Sequence, residues 1–289
     1  MFPRKQVTRD GIIEEVNSRA RRMFGNTLFL DSRLQLLNYT AVPDRRKCNS
    51  KEFVVVVHVR ADDQLGRNRW RETYGNPRLM QKFKYTLIFS VGLPYSAKQQ
   101  EGLKKESRLN GDILQANYFD SYRNLTYKQL AELRYLASSC QSVKAIVKLD
   151  DDVGWNVKKA AQFIKDDLET NEIYCARRTN VTPKYEPGSK WRIEKEEWSL
   201  STYPTHCAGM MYITTLATIK RMLDVVYLQK FFWIDDVFIT GVLTEASNVT
   251  VKRFKSIDEW RRKVHKETFF SVYKEDIMHW YRSYNYEVL

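Results

Sequence analysis

The segment VKAIVKLDDDV at residues 143–153 restricts the fold and chemistry of this chain more than any other part of its sequence. Its β-branched start is typical of a strand buried on both faces, and three aspartates follow directly. Because side chains alternate along an extended chain, we expect Asp150 and Asp152 to point to one side and Asp151 to the other. Two converging carboxylates are suitable ligands for Mn²⁺ or Mg²⁺. The alternative is an acidic turn that favours the start of the next helix, VKKAAQFIKDDL.

Buried strands alternate with helical stretches ahead of this segment. The predicted strands are FVVVVHV, YTLIFSVG and DILQANYF, and the predicted helices are ADDQLGRNRWRETYG, AKQQEGLKKESRL and NLTYKQLAELRYLASSC. This order predicts an α/β fold, doubly wound, with a mostly parallel central sheet flanked by helices. Ligands of such sheets bind beyond the carboxyl ends of the strands, which is where the three aspartates lie.

The chain divides into a short first part and one large domain. Residues 1–50 combine charge clusters with short amphipathic stretches and contain no strand-like run, so we interpret them as a peripheral, stem-like extension. Residues 51–289 are long enough to fold around one sizeable core. No apolar run in the sequence approaches the ~20 residues that cross a bilayer.

The chain is basic, with 48 Lys and Arg against 35 Asp and Glu and a formal net charge of +13. A net positive charge of this size favours binding to a polyanion, an anionic membrane surface or a phosphorylated small ligand. It is equally compatible with a solvated surface that has no specific anionic partner. The basic excess gathers near the two ends of the chain, outside the strand-end segments. We therefore expect no nucleic-acid partner.

A second acidic pair, Asp235 and Asp236, lies within the apolar segment FFWIDDVFITGVL. Acids flanked by so much apolar surface are expected to be partly desolvated, which raises the pKa of a carboxyl group toward values useful to a general base. The alternative is that one of them caps the helix that follows.

The loop between the two acidic segments is rich in aromatic residues. Trp191, Trp198 and Tyr203 suit the C–H faces of sugar rings, or else they belong to a satellite of the core. No phosphate-binding glycine loop is present. The histidines show no zinc-type spacing with one another or with the cysteines; they are His58, His206, His265 and His279.

Four cysteines and four glycosylation sequons are compatible with a secretory lumen. The cysteines, Cys48, Cys140, Cys175 and Cys207, allow three pairings, among which the sequence does not choose. The sequons begin at Asn38, Asn124, Asn180 and Asn248.

Seven stretches follow one another in the order found in a known family. They are RNRWRETYG at 67–75, TLIFSVG at 86–92, ESRLNGDILQANYFDSYRNLTYK at 106–128, KLDDDV at 148–153, SKW at 189–191, YPTHCAGMMY at 203–212 and DDVFITG at 235–241. The set resembles the β-1,3-glycosyltransferases, which are inverting galactosyl- and N-acetylglucosaminyltransferases. The resemblance implies the glycosyltransferase type A (Rossmann-like) fold, with residues 51–289 as the catalytic domain.

The resemblance also implies the chemistry. A metal-dependent enzyme of this kind moves galactose or an N-acetylhexosamine from a UDP-sugar to a glycan hydroxyl on a glycoprotein or glycolipid, and forms a β-1,3 bond. Displacement of UDP needs a cation, Mn²⁺ or Mg²⁺, for which Asp150 and Asp152 are the expected ligands. It also needs a general base on the opposite face, and Asp236 matches the family's aspartate.

Further residues are expected to bind the donor. Arg60 and Arg71 are the candidate contacts of the diphosphate, along with Asp150, and Arg67 is either a further contact or structural. Asp120 either orients the nucleotide or caps the helix that follows it.

The family resemblance implies a Golgi-lumen enzyme held by an amino-terminal membrane anchor, and we find no such anchor segment in this sequence. The sequence departs from the family pattern at Tyr74, where Trp is usual, at Asp235, where Glu is usual, and in the Ala-Gly-Met-Met turn after Cys207. The Ala-Gly-Met-Met turn and the missing anchor leave open an alternative function, that of an inactive carbohydrate- or nucleotide-binding relative of the same fold.

Overall fold

The computed structural model describes residues 8–25, 27–254, 257–259, 270–272 and 281–282. The helices are α1 (Arg9–Phe24), α2 (Gln64–Glu72), α3 (Pro77–Lys82), α4 (Ala97–Asn110), α5 (Leu125–Ser139), α6 (Val157–Asp166), α7 (Leu216–Leu223), α8 (Asp235–Val237) and α9 (Leu243–Ala246). The strands are β1 (Tyr39–Ala41), β2 (Phe53–His58), β3 (Tyr85–Leu93), β4 (Ile113–Phe119), β5 (Ala145–Asp150), β6 (Val153–Trp155), β7 (Glu172–Arg178), β8 (His206–Thr215), β9 (Thr250–Arg253), β10 (Ile257–Glu259) and β11 (Phe270–Val272). None of the described helices is long and apolar enough to cross a membrane.

The predicted strands and helices of the first half are confirmed, and so is the α/β fold class. Among the described residues, eight strands form one sheet in the order β1-β4-β3-β2-β5-β8-β7-β9. Strands β4, β3, β2 and β5 run parallel, as expected for strands joined by helices. Strand β8 is antiparallel to β5 and to β7, because the connection from β7 to β8 contains no helix. The sheet is therefore mixed, with its parallel part at the centre.

The order of the strands reverses between β2 and β5. From β2 the chain moves outward through β3 and β4, and it then returns to place β5 on the other side of β2. All six residues of β2 are buried, and its last residue, His58, lies opposite Asp150. An open sheet has its main crevice at such a reversal point, beyond the carboxyl ends of the strands. Asp150, at the end of β5, and the next two residues, Asp151 and Asp152, face this crevice, and we call these three residues the carboxylate turn.

The first fifty residues contribute to the domain, which differs from the peripheral extension that the sequence suggested. Strand β1 pairs antiparallel with β4, so the expectation of no strand in this part was wrong. Helix α1 packs against α5, and Asn17 joins it to β1: its Nδ2 donates to the carbonyl of Tyr39 at 3.0 Å, and its Oδ1 accepts from the amide of Tyr39 at 2.7 Å. A disulfide between Cys48 and Cys140 ties the end of this segment to the end of α5.

The structure also selects one of the three cysteine pairings. Cys48 pairs with Cys140, and Cys175 of β7 pairs with Cys207 of β8, which leaves no free cysteine in the described part of the chain. The second disulfide joins neighbouring strands at the edge of the crevice. Paired cysteines of this kind persist in oxidising compartments.

Candidate active site

Two adjoining cavities open at the reversal point of the sheet. The first has a volume of about 500 Å³ and lies above β2, and the second, of about 520 Å³, lies above β5 and β8. Four residues line both cavities, namely His58, Tyr122, Leu125 and Asp150. The two cavities therefore adjoin at these four residues, one of which, Asp150, belongs to the carboxylate turn at residues 150–152.

The three aspartates of the turn divide between the cavities. Asp150 lines both, Asp151 lines the first and Asp152 lines the second. The turn is held by its backbone: the amide of Asp151 donates to the carbonyl of His58 at 3.1 Å, and Nε1 of Trp70 donates to the carbonyl of Asp151 at 3.0 Å. Burial, together with the charges of Asp152 and Asp150, raises the pKa of Asp151 to about 7. The turn thus concentrates negative charge at the junction.

A buried lysine lies beneath this negative charge. Lys148 of β5 is 1% exposed, and its Nζ donates to Oδ1 of Asp150 at 2.5 Å and to the carbonyl of Gly209. Burial acts to lower the pKa of Lys148, but the attraction of Asp150 and Asp235 outweighs it and raises this pKa. The residue is therefore charged, and it links the carboxylate turn to β8. Lys148 was not among the predicted site residues, although a lysine two residues before Asp150 in an apolar strand was the available signal.

The second acidic pair faces the second cavity from the start of α8. Asp235 is buried and Asp236 is partly exposed to the cavity. Neither acts as the helix cap, because the capping position is Ile234 and no side-chain cap is present. Oδ2 of Asp235 accepts from Nε2 of Gln129 at 2.5 Å, and the carboxylate of Asp236 accepts from the amide of Gly209. The two carboxylates thus have different partners.

The pKa values of both carboxyl groups are raised. For Asp235 the main cause is burial, which the charge of Lys148 and the hydrogen bond from Gln129 partly offset. For Asp236 the cause is burial first and the neighbouring charge of Asp235 second, and its pKa lies well above the ordinary value. Asp236 therefore combines access to the cavity with the basicity that a general base requires.

Gly209 places Asp236, and replacing it by alanine is expected to displace the carboxylate. A Cβ atom at Gly209 would lie 2.1 Å from Oδ1 of Asp236, a distance that no pair of atoms tolerates without a shift. Since a misplacement of about 1 Å costs about 10²-fold in rate, we expect Gly209→Ala to lower kcat of the predicted sugar transfer to this extent. Gly102→Ala is the matched control, because a Cβ there meets nothing within 4 Å. Equal kcat values for the two variants would contradict this placement of Asp236.

The first cavity is lined by the predicted donor-binding residues Arg60 and Asp120. Arg60 is paired with Asp62 at 2.6 Å and keeps its side chain 79% exposed. Asp120 does not cap a helix: its Oδ2 accepts from the amide of Ala61 at 2.7 Å and its Oδ1 is paired with Nζ of Lys128 at 2.9 Å. These contacts exclude the interpretation of Asp120 as a helix cap. Its role in orienting the nucleotide stays a prediction.

Arg71 is not where a diphosphate contact was expected. Its guanidinium is bonded to Asp112 at 2.8 and 2.9 Å and to Glu106 at 2.7 Å, and it lies over the ring of Phe89. It lines neither of the two cavities at the reversal point. Arg67 is likewise buried and paired with Glu106 at 2.7 Å, which favours its structural interpretation. Both arginines fasten α2 to Glu106 of α4, and Arg71 also contacts Phe89 of β3.

The aromatic residues of the long loop divide into two groups. Trp191 is 48% exposed and lines the second cavity, and Nζ of Lys190 lies 5.6 Å from its ring centroid and 3.9 Å from that of Tyr122. Trp198 is instead partly buried and packs against Tyr203 and Phe232 of the core, and Tyr203, although buried, also lines the second cavity. Trp191 and Tyr122 are therefore the rings available to a sugar in the second cavity.

The two histidines within the described residues, His58 and His206, each have a protein partner. His58 is bonded to Glu132 at 2.7 Å, and Nδ1 of His206 lies 2.8 Å from the carbonyl of Pro204. His265 and His279 lie outside the described residues. Within the described part of the chain, no group of three or more His, Cys, Asp or Glu is arranged to hold a metal ion.

Comparison with known proteins agrees with this geometry. A family model described as Galactosyltransferase matches residues 66–255. Beta-1,3-galactosyltransferase 5 of Gorilla gorilla gorilla is 26% identical over 222 residues, which are 76% of this chain and 74% of the relative. Beta-1,3-galactosyltransferase bre-2 of Caenorhabditis elegans is 29% identical over 227 residues, which are 75% of this chain and 63% of the relative. The structure of mouse xyloside xylosyltransferase 1 in its apo form covers 78% of this chain and 98% of its own, at 11% identity and a TM-score of 0.37, too low to support a conclusion.

The α/β fold with its crevice at the reversal point, and the family match over most of that fold, identify the chain as a glycosyltransferase of the type A fold class. More narrowly, the chain belongs to the galactosyltransferase family, and its curated relatives are named as β-1,3-galactosyltransferases.

Proposed function

We propose that this protein transfers galactose or an N-acetylhexosamine from a UDP-sugar to a hydroxyl group of a glycan, with inversion and formation of a β-1,3 bond. The observation that carries the proposal is the junction of the two cavities: the carboxylate turn lies at the junction, and Asp236 lines the second cavity. The names of the relatives support the linkage and the galactose donor.

The donor set of the turn fits a divalent cation. Asp150 and Asp152 offer hard carboxylate oxygens at the second cavity, and Mn²⁺ or Mg²⁺ commonly binds through one or two carboxylates plus substrate phosphates and water. Such a site needs no third protein ligand. When bound, the cation supplies charge that stabilises UDP as it leaves.

The remaining roles belong to side chains that line the two cavities. The first cavity would hold the nucleotide beside Arg60 and Asp120, and the second would hold the acceptor sugar against Trp191. Asp236 would accept the proton of the acceptor hydroxyl as its oxygen bonds to the anomeric carbon. Attack from the second cavity while UDP departs toward the first inverts the anomeric centre.

The proposal is tested by measuring UDP release with Mn²⁺ from three donors, UDP-galactose, UDP-N-acetylglucosamine and UDP-N-acetylgalactosamine, each with a panel of acceptor sugars. We expect one donor to support acceptor-dependent release, and Asp236→Asn to abolish it. UDP binding without release from any donor would indicate a binding protein and would contradict the proposal.

We further propose the Golgi lumen as the compartment, and the paired cysteines support this placement. Three sequon asparagines are exposed, namely Asn38, Asn180 and Asn248. In contrast, Nδ2 of Asn124 donates to the carbonyl of Phe119 at 2.8 Å, so its glycosylation requires that bond to break.

Protein secreted from eukaryotic cells with a signal sequence is therefore expected to carry glycans at Asn38, Asn180 and Asn248 but not at Asn124. Glycosidase digestion followed by gel electrophoresis measures this. Replacing the three exposed asparagines by Gln is expected to abolish the shift in mobility, and Asn124→Gln to leave it unchanged. No shift for the unmodified sequence would contradict the luminal placement.

A further inference from the structure

We propose that Gln129 of α5 is a positioning residue for the transfer reaction and that it acts on the base Asp236 through Asp235. This inference rests on the proposed function. It assigns a role to a side chain that lines neither of the two cavities at the junction, and it gives Asp235 a task of its own.

The contacts of Gln129 fix its amide group. The side chain is 1% exposed, its Nε2 donates to Oδ2 of Asp235 at 2.5 Å, and its Oε1 accepts from the hydroxyl of Tyr212 at 3.2 Å. An ionised carboxylate can only accept hydrogen bonds, so the NH₂ end of the amide must face Asp235. Gln129 therefore stabilises the charged form of Asp235 in a site where burial opposes that charge.

A second contact, one helical turn before Gln129, also joins helix α5 to the segment that precedes Asp235. The hydroxyl of Thr126 donates to the carbonyls of Phe232 and Trp233 at 2.8 and 3.1 Å, immediately ahead of the aspartate pair. Nζ of Lys128 donates to the carbonyl of Val59 at 3.0 Å, at the end of β2. Helix α5 therefore fixes the position of the segment before Asp235 relative to the residues that line the first cavity.

The consequence for Asp236 is electrostatic. The ionised form of Asp235 places a negative charge next to Asp236, while Oδ2 of Asp235 is bonded to Gln129. The charge of Asp235 is, after burial, the second cause of the raised pKa of Asp236. The other charged or titratable groups that face the pair are Lys148 and Asp150 of β5, Tyr212 of β8, Glu132 of α5 and Tyr122.

The direction of the effect follows from this chain of contacts. Without the amide of Gln129, Asp235 binds a proton more readily, and the repulsion that raises the pKa of Asp236 is weakened. The base then stays ionised to lower pH. Loss of Gln129 and loss of the Asp235 charge are therefore expected to move the acidic limb of the pH–rate profile in the same direction.

The experiment is a double-mutant cycle read as pH profiles of kcat/KM, with Gln129→Leu, Asp235→Asn and the double variant, all at saturating Mn²⁺. We expect the acidic limb of each single variant to move to lower pH by about one unit, the size of a typical effect of a neighbouring charge. The limb of the double variant is expected to coincide with that of Asp235→Asn, because Gln129 then has no carboxylate to act on.

The matched control is Gln115→Leu. Gln115 is also 1% exposed, and its amide is hydrogen-bonded to the carbonyl of Gly92, to Gln100 and to the hydroxyl of Thr40, but it lies on β4 away from the aspartate pair. Its variant is expected to lose stability without any movement of the limb. If Gln129→Leu does not fold, Gln129→Asn withdraws the same amide by one methylene and replaces it in the cycle.

The possible results distinguish a failure of the role of Gln129 from a failure of the proposed function. An active wild-type protein whose limb does not move in the Gln129 variants overturns this inference alone, as does a double variant that shifts further than Asp235→Asn. A wild-type protein with no transfer under any condition overturns the proposed function and this inference with it.

Discussion

Asp236→Asn is expected to lower kcat of sugar transfer by about 10² to 10⁴-fold, the usual loss when a positioned base is removed. The substitution keeps the size of the side chain and its place beside the amide of Gly209, so the binding of UDP-sugar with Mn²⁺ is expected to stay at the wild-type level. Steady-state kinetics of transfer and calorimetric titration of the donor measure the two quantities.

Asp235→Asn is the matched control for this prediction. Oδ2 of Asp235 is bonded to Gln129, and Asp235→Asn leaves the base Asp236 in place, so we expect measurable turnover. The wild-type rate is expected to fall as the pH falls through the pKa of Asp236, because only the ionised base accepts the proton, and that pKa is raised. Wild-type kcat in Asp236→Asn across the pH range would mean that the base is another residue.

Asp152→Ala is expected to abolish the Mn²⁺-dependent part of UDP binding. Asp150 already shares Oδ1 with Lys148, and removal of Asp152 would leave the second cavity with a single carboxylate of the turn. The diphosphate charge would then be unbalanced. Calorimetric titration of UDP with and without Mn²⁺ measures the effect.

Asp151→Ala is the control, since Asp151 lines only the first cavity and is expected to contribute less to the cation. Equal affinity of wild type and Asp152→Ala for UDP in the presence of Mn²⁺ would contradict the assignment of Asp152. A larger loss in Asp151→Ala than in Asp152→Ala would transfer the role of ligand to Asp151.

The parts of the fold that were predictable are those whose burial is visible in the sequence. Strand β2 is buried on both faces, so its run of valines is unbroken and its assignment is secure. Strand β1 was missed because it has three residues, alternates in burial and forms by pairing with β4, more than seventy residues further along the chain. Its sequence contains no local signal of that partner.

The residues of the candidate site also differ in how far the sequence alone predicts their positions. Asp150 and Asp152 line the second cavity together, but strand alternation does not explain this, because β5 ends at Asp150 and the next two residues form a turn. Their role as metal ligands stays a prediction. The position of Arg71 was not predictable either, since its partners Glu106 and Asp112 come from α4 and the start of β4. Ion pairs between residues that are distant in sequence depend on how the helices and strands pack together. This packing cannot be derived from the local sequence.

The most direct test of the account is the stereochemistry of the product. The purified protein, incubated with Mn²⁺, the UDP-sugar that supports turnover and an oligosaccharide acceptor, is expected to give a disaccharide linkage that NMR identifies as β-1,3. Because the sugar of the donor is α-linked to UDP, a β product requires one displacement with a base in the acceptor cavity. A product with the α configuration, or release of UDP without any new glycosidic bond, would contradict the account.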